Sequence, residues 1–228
     1  MPQSAGATTS LAKGLAIILD MDGVIVDSNP VHSEAWRVYN RRMGLETTAA
    51  MLSFMYGKRN DEIVREFYGT HLTEEQVRKH GQSKEMLYRE MMAPQLESLL
   101  IPGAVEFLRR SESCPLGLAS NAERANVDFI LDNAGIRRFF RVVVDGGQVR
   151  EPKPSPEIYL RVAKLLSVSP ENCVVFEDSE SGCQAARAAG ARVVGIRSTL
   201  RTFSGVDLAI DDFQSVELEP WLESQRPR

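Results

Sequence analysis

Short apolar runs alternate with helix-like segments along most of the chain. Five runs, each about the length of one strand, are mostly apolar or β-branched without polar alternation: residues 15–19, 116–119, 141–144, 173–176 and 192–196. This pattern is typical of strands that are buried on both faces of a parallel sheet. Helical patterns lie between the runs, at residues 104–110, 122–134, 156–166 and 182–189. The alternation predicts right-handed βαβ units and an α/β core with a doubly wound parallel sheet.

Residues 29–100 interrupt this alternation. They contain no convincing strand pattern, only helix-like segments at residues 31–42, 60–68 and 73–92. Thr73 precedes Gln76 by three positions, which is the spacing of a capping box at a helix start. We therefore predict a small helical cap domain over residues 29–100, inserted into a core domain formed by residues 15–28 and 101–228. A single domain with extra helices is the alternative.

The two ends of the chain carry weaker patterns. Residues 1–14 are mostly small or polar, and we expect them to form a flexible leader. Residues 199–212 contain a short apolar stretch that is expected to add an edge strand to the sheet. The Pro- and Glu-rich end that follows Glu217 is expected to lie on the surface.

Composition and charge exclude several classes of protein. The 228 residues include 27 Lys and Arg against 31 Asp and Glu, and the net charge of −4 leaves no electrostatic footprint for nucleic acid or an anionic membrane. The first apolar run is too short to span a bilayer, and the three scattered cysteines form no disulfide or zinc pattern. We expect a cytoplasmic monomer with neither nucleic acid nor a membrane as its partner. Specific local groups would have to attract any anionic substrate.

Carboxylates follow two of the predicted strands. Asp20 and Asp22 close the first apolar run, and Gly23 permits a tight turn there. Glu177 and Asp178 stand at the end of the fourth run. Acids in these places can cap helices, or they can coordinate a hard cation through oxygen.

A hydroxyl group and a lysine are predicted at the same end of the sheet. Ser120 and Asn121 follow the second run, where a hydroxyl and the amides of the next helix can hold a phosphate; an ordinary helix cap is the alternative. Lys153 stands between Pro152 and Pro154, which restrict the backbone and exclude a helix. Such a stiff frame indicates a fixed position rather than a mobile surface charge.

These four groups are expected to meet, because ligands of doubly wound folds bind beyond the carboxyl ends of the strands. The acids alone would repel one another, and each would raise the pKa values of the others. A divalent cation would relieve that repulsion, and Mg²⁺ suits an all-oxygen site that also takes a phosphate. The sequence therefore predicts a Mg²⁺ site beside a phosphate site.

The ordered set resembles the haloacid dehalogenase-like superfamily of phosphotransferases. Four motifs carry the resemblance: Asp20-Met-Asp-Gly-Val24, Ser120-Asn121, Lys153 and Glu177-Asp-Ser-Glu-Ser-Gly182. Residues 101–103 and 182–190, with the position of the helical insert, are similar to the branch that contains phosphoglycolate phosphatase and β-phosphoglucomutase. The resemblance covers residues 15–196 and implies a Rossmann-like core with a small cap.

The resemblance also implies a role for each motif residue. Asp20 would attack phosphorus and form an aspartyl-phosphate, while Asp22 would protonate the leaving oxygen and then deprotonate water or a hydroxyl. Ser120 and Lys153 would bind the transferring group. The implied Mg²⁺ ligands are Asp20, the backbone carbonyl of Asp22, Asp178 and Glu177, the last of which otherwise orients the waters of the ion.

Residues of the predicted cap bear on the choice between a phosphatase and a mutase. His32 and Lys84 match the mutases of this branch in their spacing, although its phosphatases often carry both. In the mutases an arginine three residues after a cap glycine grips the phosphate that is not transferred, and here Asn60 stands three residues after Gly57. Arg59 lies one residue earlier, a rotation of about 100° on a helix, which favours a phosphatase. The expected substrate contacts are Gly23, His32, Gly57, Lys58, Arg59, Asn60, Lys84 and Asn121.

The sequence thus favours a Mg²⁺-dependent phosphatase that hydrolyses a small phosphomonoester, a sugar phosphate, through an aspartyl-phosphate. A phosphosugar mutase of the β-phosphoglucomutase type is the alternative within the family. Asp22 argues against a dehalogenase, because halide departure needs no proton, and phosphonate hydrolysis, which would use Lys58 or Lys84, is disfavoured. A non-catalytic phosphate-binding protein or a receiver-like domain is the alternative of another class, but a receiver domain would have no long helical insert.

Overall fold

A parallel sheet forms the centre of the protein. The computed structural model describes residues 14–226, so all but the last residue of the predicted leader lies outside the described residues. Six strands form the sheet in the order β3-β2-β1-β4-β5-β6, with every neighbouring pair parallel. The strands are β1 Ala16–Leu19, β2 Leu116–Ala119, β3 Val142–Val144, β4 Cys173–Glu177, β5 Arg192–Ile196 and β6 Leu208–Ile210.

The five predicted core strands are confirmed to within one residue, and β6 is the expected edge strand. In β1, Ile17 and Leu19 pack into one apolar cluster, whereas Ala16 and Ile18 pack into another on the opposite face. Both faces of the strand are therefore buried, which explains why its sequence is apolar throughout instead of alternating between apolar and polar residues.

Helices cover both faces of the sheet. Within residues 14–226 they are α1 Asn29–Arg42, α2 Ala49–Met55, α3 Asn60–Tyr68, α4 Glu74–Met92, α5 Ala104–Arg110, α6 Arg124–Asn133, α7 Glu157–Leu166, α8 Glu180–Ala188 and α9 Leu218–Ser224. Buried side chains of α5, α6 and α9 belong to the same apolar cluster as Ile17 and Leu19 of β1, while those of α7 and α8 belong to the cluster of Ala16 and Ile18. The doubly wound α/β fold is confirmed, and the predicted helices agree to within two residues.

Helices α1–α4 form the insert between β1 and α5. The capping box at the start of α4 is present, with Gln76 N donating to Thr73 Oγ1 (3.3 Å) and Thr73 N donating to Gln76 Oε1 (2.9 Å). The two connecting segments run beside each other, because Asp27 N donates to the carbonyl of Leu99 (2.8 Å) and Ile101 N to that of Ile25 (2.9 Å). The boundaries proposed for a separate cap domain stay a prediction.

The chain end adds a helix that the sequence pattern did not predict. The segment after Glu217 forms α9, whose Leu218 and Leu222 are fully buried while Glu219, Pro220 and Glu223 are exposed, as expected for a segment on the surface. The two leucines are four residues apart and share one helix face, and Pro220 lies in the first turn, where a missing N–H costs little. Among the described residues, none of the helices has both the length and the apolarity needed to cross a bilayer.

Candidate active site

A cavity of about 430 Å³ lies between the carboxyl edge of the sheet and the insert. Twelve of the fourteen residues predicted for the site line it: Asp20, Asp22, His32, Gly57, Lys58, Arg59, Asn60, Lys84, Ser120, Asn121, Lys153 and Asp178. The other two predicted residues contact members of this set, since Gly23 lies against Asp178 and Glu177 pairs with Lys153.

The strand register brings the acidic motifs and the lysine together. Leu19 of β1 is in register with Leu118 of β2 and Phe176 of β4, so the residues that follow these central strands are neighbours. Lys153 reaches the same place from the loop before α7: its Nζ donates to Asp20 Oδ1 (2.5 Å) and to Glu177 Oε1 (2.6 Å).

Lys153 is a fixed, buried cation. Its side chain is only 3% exposed, and Nζ also donates to the carbonyl of Ala119 (3.1 Å). Burial opposes the charge, but the carboxylates of Asp20 and Glu177 outweigh it and raise the pKa of Lys153 above its usual value. The stiff Pro-framed loop therefore delivers a permanent positive charge to the base of the cavity.

Both oxygens of Glu177 are occupied by donors from the protein. Oε1 accepts from Lys153 and from the hydroxyl of Tyr159, and Oε2 accepts from the backbone of Asp178 and from the backbone and hydroxyl of Ser179. Burial opposes its ionisation, but Lys153 and these hydrogen bonds hold the pKa of Glu177 below its usual value. Glu177 is thus well placed to hold Lys153 in position. Tyr159 was missed from the sequence, because nothing local marks a helix tyrosine as its partner.

Asp22 faces the insert. Ser28 Oγ, in the segment that leads into α1, donates to Asp22 Oδ1 (2.5 Å), and His32 Nε2 lies 3.6 Å from the same oxygen. Lys84 Nζ donates to His32 Nδ1 (2.7 Å). Because an ammonium group only donates, the ring proton of a neutral His32 belongs on Nε2, where it points towards Asp22. The carboxylate is therefore oriented by two residues of the insert side.

Asp178 is held by hydrogen bonds from two side chains outside the acidic cluster. Its Oδ2 accepts from Thr199 Oγ1 and, at 3.4 Å, from Asn29 Nδ2. Burial, and then the charge of Glu177, raise the pKa of Asp178 to about 8. Gly23 lies against this carboxylate with φ +76°, and a Cβ at that position would overlap it. The glycine thus serves a close approach as well as a turn.

We expect Gly23→Ala to unfold at a lower temperature than Gly44→Ala. Gly44 has the same φ of +76°, so both variants carry the left-handed backbone strain of roughly 1–2 kcal/mol. A Cβ added at Gly44 would meet no described residue within 4 Å beyond its chain neighbours. Only Gly23→Ala adds a clash with Asp178, of about 1–3 kcal/mol. Thermal unfolding of the two variants measures the difference, and equal midpoints would contradict the close approach.

Three buried acids are positioned to share a cation. Asp20, Glu177 and Asp178 each place one carboxylate oxygen within 4.8 Å of the others. Within residues 14–226, no hydrogen bond uses Oδ2 of Asp20 or Oδ1 of Asp178. Burial raises the pKa of Asp20 well above its usual value, and Glu177 and Asp178 add to this, with Lys153 offsetting only part. The excess negative charge and the all-oxygen donors fit a hard divalent cation.

Ser120 and Asn121 connect the sheet edge with the insert. Ser120 is 1% exposed, and its Oγ accepts from the backbone N of Ala122 (3.1 Å). Asn121 Nδ2 donates to the carbonyl of Gly57 (2.9 Å), and its Oδ1 accepts from Lys153 N (3.5 Å). The serine hydroxyl thus keeps its proton available for a ligand in the cavity, while the asparagine fixes the loop that carries Gly57.

A buried network forms the wall of the cavity opposite the sheet. Lys84 Nζ donates to Glu85 Oε1 (2.8 Å), which also accepts from Asn60 Nδ2 (2.8 Å). Glu85 Oε2 accepts from Asn126 Nδ2 (2.7 Å) of the core helix α6. Sequence reasoning found Lys84 and Asn60 but missed Glu85 and Asn126, which look like ordinary polar positions of helices.

Known proteins of one family are similar to this chain in sequence. The haloacid dehalogenase-like hydrolase profile matches residues 15–190. The phosphorylated carbohydrates phosphatase of Thermotoga maritima is 34% identical over 190 residues, covering 81% of this chain and 86% of the relative. The fructose-1-phosphate phosphatase of Escherichia coli is 30% identical over 181 residues, covering 79% and 95%.

A solved structure shares the fold over most of the chain. The crystal structure of β-phosphoglucomutase from Clostridium difficile superimposes with a TM-score of 0.81 at 26% identity, covering 92% of this chain and 96% of that one. The profile match spans well over half of the chain, and the fold agrees with it. The chain therefore belongs to the haloacid dehalogenase-like hydrolase family, as an enzyme of the branch that contains phosphatases and phosphosugar mutases.

Proposed function

We propose that the protein is a Mg²⁺-dependent phosphatase that hydrolyses a small phosphorylated metabolite, most directly a sugar phosphate, through an aspartyl-phosphate on Asp20. The observation that carries the proposal is the contact of Asp20 with Lys153 at the base of a cavity that Asp22 and Ser120 also line. The two sugar phosphatases among the relatives support the substrate class.

The proposed reaction has two steps. An oxygen of Asp20 attacks phosphorus, the bond from phosphorus to the ester oxygen breaks, and protonated Asp22 gives its proton to that leaving oxygen. Asp22 then takes a proton from water as the water attacks the aspartyl-phosphate, which releases inorganic phosphate and regenerates Asp20. Lys153 and the hydroxyl of Ser120 hold the phosphoryl oxygens through both steps.

Asp20 and Asp178, with the backbone carbonyl of Asp22, are the proposed ligands of Mg²⁺. The ion would supply charge neutralisation for the phosphoryl oxygens and for the clustered acids. We assign Glu177 a different task, because its oxygens are already occupied by donors from Lys153, Tyr159 and the backbone. It positions Lys153, and through it Asp20.

Contacts in the insert favour hydrolysis over phosphoryl return to a second position of the substrate. Asn60, at the position where the mutases carry their phosphate-gripping arginine, donates to Glu85. Arg59 pairs with Asp61 (Nε to Oδ1, 3.2 Å) and donates to the carbonyl of Arg150 (3.4 Å). Asn60 is uncharged and Arg59 is paired, so neither residue offers an unpaired positive charge to a second phosphate. The pairing of His32 with Lys84 is the observation that keeps a phosphosugar mutase as the second candidate.

A substrate panel tests the proposal. We expect inorganic phosphate release from at least one of fructose 1-phosphate, β-glucose 1-phosphate, phosphoglycolate and the hexose 6-phosphates, in MgCl₂ but not in EDTA. Isomerisation of glucose 1-phosphate is scored separately in the same samples. Isomerisation faster than phosphate release would instead establish the mutase, and neither reaction with any compound would leave a non-catalytic phosphate-binding protein.

The proposed metal site predicts a pH-dependent stabilisation by Mg²⁺. In the unfolded chain Asp178 ionises near pH 4, whereas without metal its folded pKa is about 8, so folding takes up a proton between these values. The free energy of unfolding should therefore fall as pH rises through this window, by up to about 1.4 kcal/mol per pH unit. Asp20 acts in the same direction.

Thermal unfolding in MgCl₂ and in EDTA measures this effect. We expect the stabilisation by Mg²⁺ to be small near pH 5 and to grow towards pH 8, because the ion binds the ionised carboxylates. Asp178→Asn removes one of them and should flatten the pH dependence in EDTA. A Mg²⁺ effect that does not change with pH, or one that Asp178→Asn leaves intact, would count against the assigned ligands.

A further inference from the structure

Glu85 places a buried negative charge in the wall of the cavity, a position that the proposed reaction does not use. It lies on α4, is 3% exposed, and lines the same cavity as Asp20 and Lys153. Its oxygens accept from Lys84, Asn60 and Asn126, which are themselves buried or partly buried. A carboxylate has about four acceptor positions, so this one can still take a hydrogen bond from a ligand.

The charge of Glu85 cancels that of Lys84. Burial opposes ionisation of the carboxyl, but the charge of Lys84 and the hydrogen bonds from Lys84 and Asn126 outweigh it and hold the pKa of Glu85 at about 2. The Lys84 side chain is 2% exposed, and its ammonium group lies 2.8 Å from Glu85 Oε1. A ligand that approaches this wall therefore meets an ion pair with hydrogen-bonding capacity rather than a net positive charge.

Other cations that line the cavity from the insert are also paired. Lys58 lies 3.2 Å from Glu62, and Arg59 lies 3.2 Å from Asp61. Among the described residues that line the cavity, Arg78 is an exposed exception whose guanidinium donates to Gln82 instead of a carboxylate. The cavity is thus asymmetric, with Lys153 at the base and a charge-balanced, donor- and acceptor-rich wall opposite.

We propose that Glu85 is a specificity-determining residue, which selects monophosphates whose far end carries uncharged hydroxyl groups and rejects compounds with a second phosphate there. This inference rests on the proposed phosphatase function, because the first phosphate must lie beside Asp20. A hydroxyl at the far end donates to Glu85 or accepts from Asn60. A second phosphate at this wall would instead lose part of its hydration, while the carboxylate of Glu85 cancels the attraction that Lys84 would otherwise supply.

Matched substrates test the proposal. Specificity constants, kcat/KM, are measured for fructose 1-phosphate against fructose 1,6-bisphosphate and for glucose 1-phosphate against glucose 1,6-bisphosphate. For any pair whose monophosphate the wild-type chain hydrolyses, we expect kcat/KM for the monophosphate to exceed that for the bisphosphate by ~10-fold or more. Glu85→Gln should narrow this ratio by ~3-fold or more, chiefly by lowering KM for the bisphosphate.

Glu75→Gln is the matched control, because Glu75 lies on the same helix but is 65% exposed and pairs with Lys79. It should keep the wild-type ratio. The wild-type ratio of kcat/KM, monophosphate over bisphosphate, tests the proposal even if Glu85→Gln does not fold. A kcat/KM for the bisphosphate that equals or exceeds that for the monophosphate overturns the proposal. A ratio that Glu85→Gln leaves unchanged also overturns it. Absence of phosphate release from every compound would instead refute the phosphatase function itself.

Discussion

Asp20→Asn is expected to lower phosphate release by at least ~10³-fold while leaving the fold intact. The amide keeps the shape of the carboxyl group but cannot attack phosphorus. The residual activity is measured as phosphate release at saturating substrate and MgCl₂, on whichever phosphomonoester the wild-type chain hydrolyses. Acid-quenched wild-type enzyme should retain a phosphoryl group during turnover, and the variant should not.

The stability of Asp20→Asn provides the control for folding. Burial and three neighbouring acids oppose the charge on Asp20, so a neutral side chain should raise or maintain the unfolding temperature in EDTA. Asp211→Asn, whose side chain is 83% exposed, is the matched surface change and should affect neither activity nor stability. Near-normal turnover by Asp20→Asn would refute the nucleophile assignment.

Lys153→Met is expected to cost about 3–5 kcal/mol of unfolding free energy near neutral pH and to abolish measurable turnover. The lysine is the partner shared by the carboxylates of Asp20 and Glu177, and methionine fills the space without a charge. Two buried acids are then left without their common cation. Urea unfolding of the metal-free protein measures the loss, which should shrink in mild acid as Asp20 becomes protonated.

Lys164→Met is the matched control, which shows how much unfolding free energy is lost when a surface lysine is replaced by methionine. Lys164 lies on the exposed side of α7, and its replacement should shift the urea midpoint only slightly. Added MgCl₂ should recover part of the stability of Lys153→Met, because the ion neutralises the same acids. Equal urea midpoints for the two variants would show that Lys153 does not carry the buried charge balance.

The core of the fold was predictable because its signals are local. Each central strand is a short apolar run, and the polar residue that ends it, such as Asp20 or Ser120, marks the edge where parallel strands finish. The sequence therefore predicts that the four motifs lie together. Lys153 was predictable for a different reason: two flanking prolines identify a rigid loop without naming what the lysine contacts.

The remaining features depend on contacts between residues far apart in the chain. Tyr159 became part of the site through its hydrogen bond to Glu177, and Glu85 through its bonds to Asn60 and Asn126. On the sequence alone, Glu85 is one of many charges on α4. Helix α9 was missed because its two leucines become a buried stripe only when the sheet supplies the apolar surface that they cover.

The paired connecting segments have an evolutionary consequence. Asp27 and Leu99, like Ile25 and Ile101, are joined by backbone hydrogen bonds, so the insert leaves and rejoins the core at almost the same place. A unit whose two ends are adjacent can be lengthened, shortened or exchanged without moving β1 relative to α5. Selection can therefore change the part of the cavity that the insert lines, and with it the choice of substrate. The sheet edge that carries Asp20 and Lys153 can keep its geometry meanwhile.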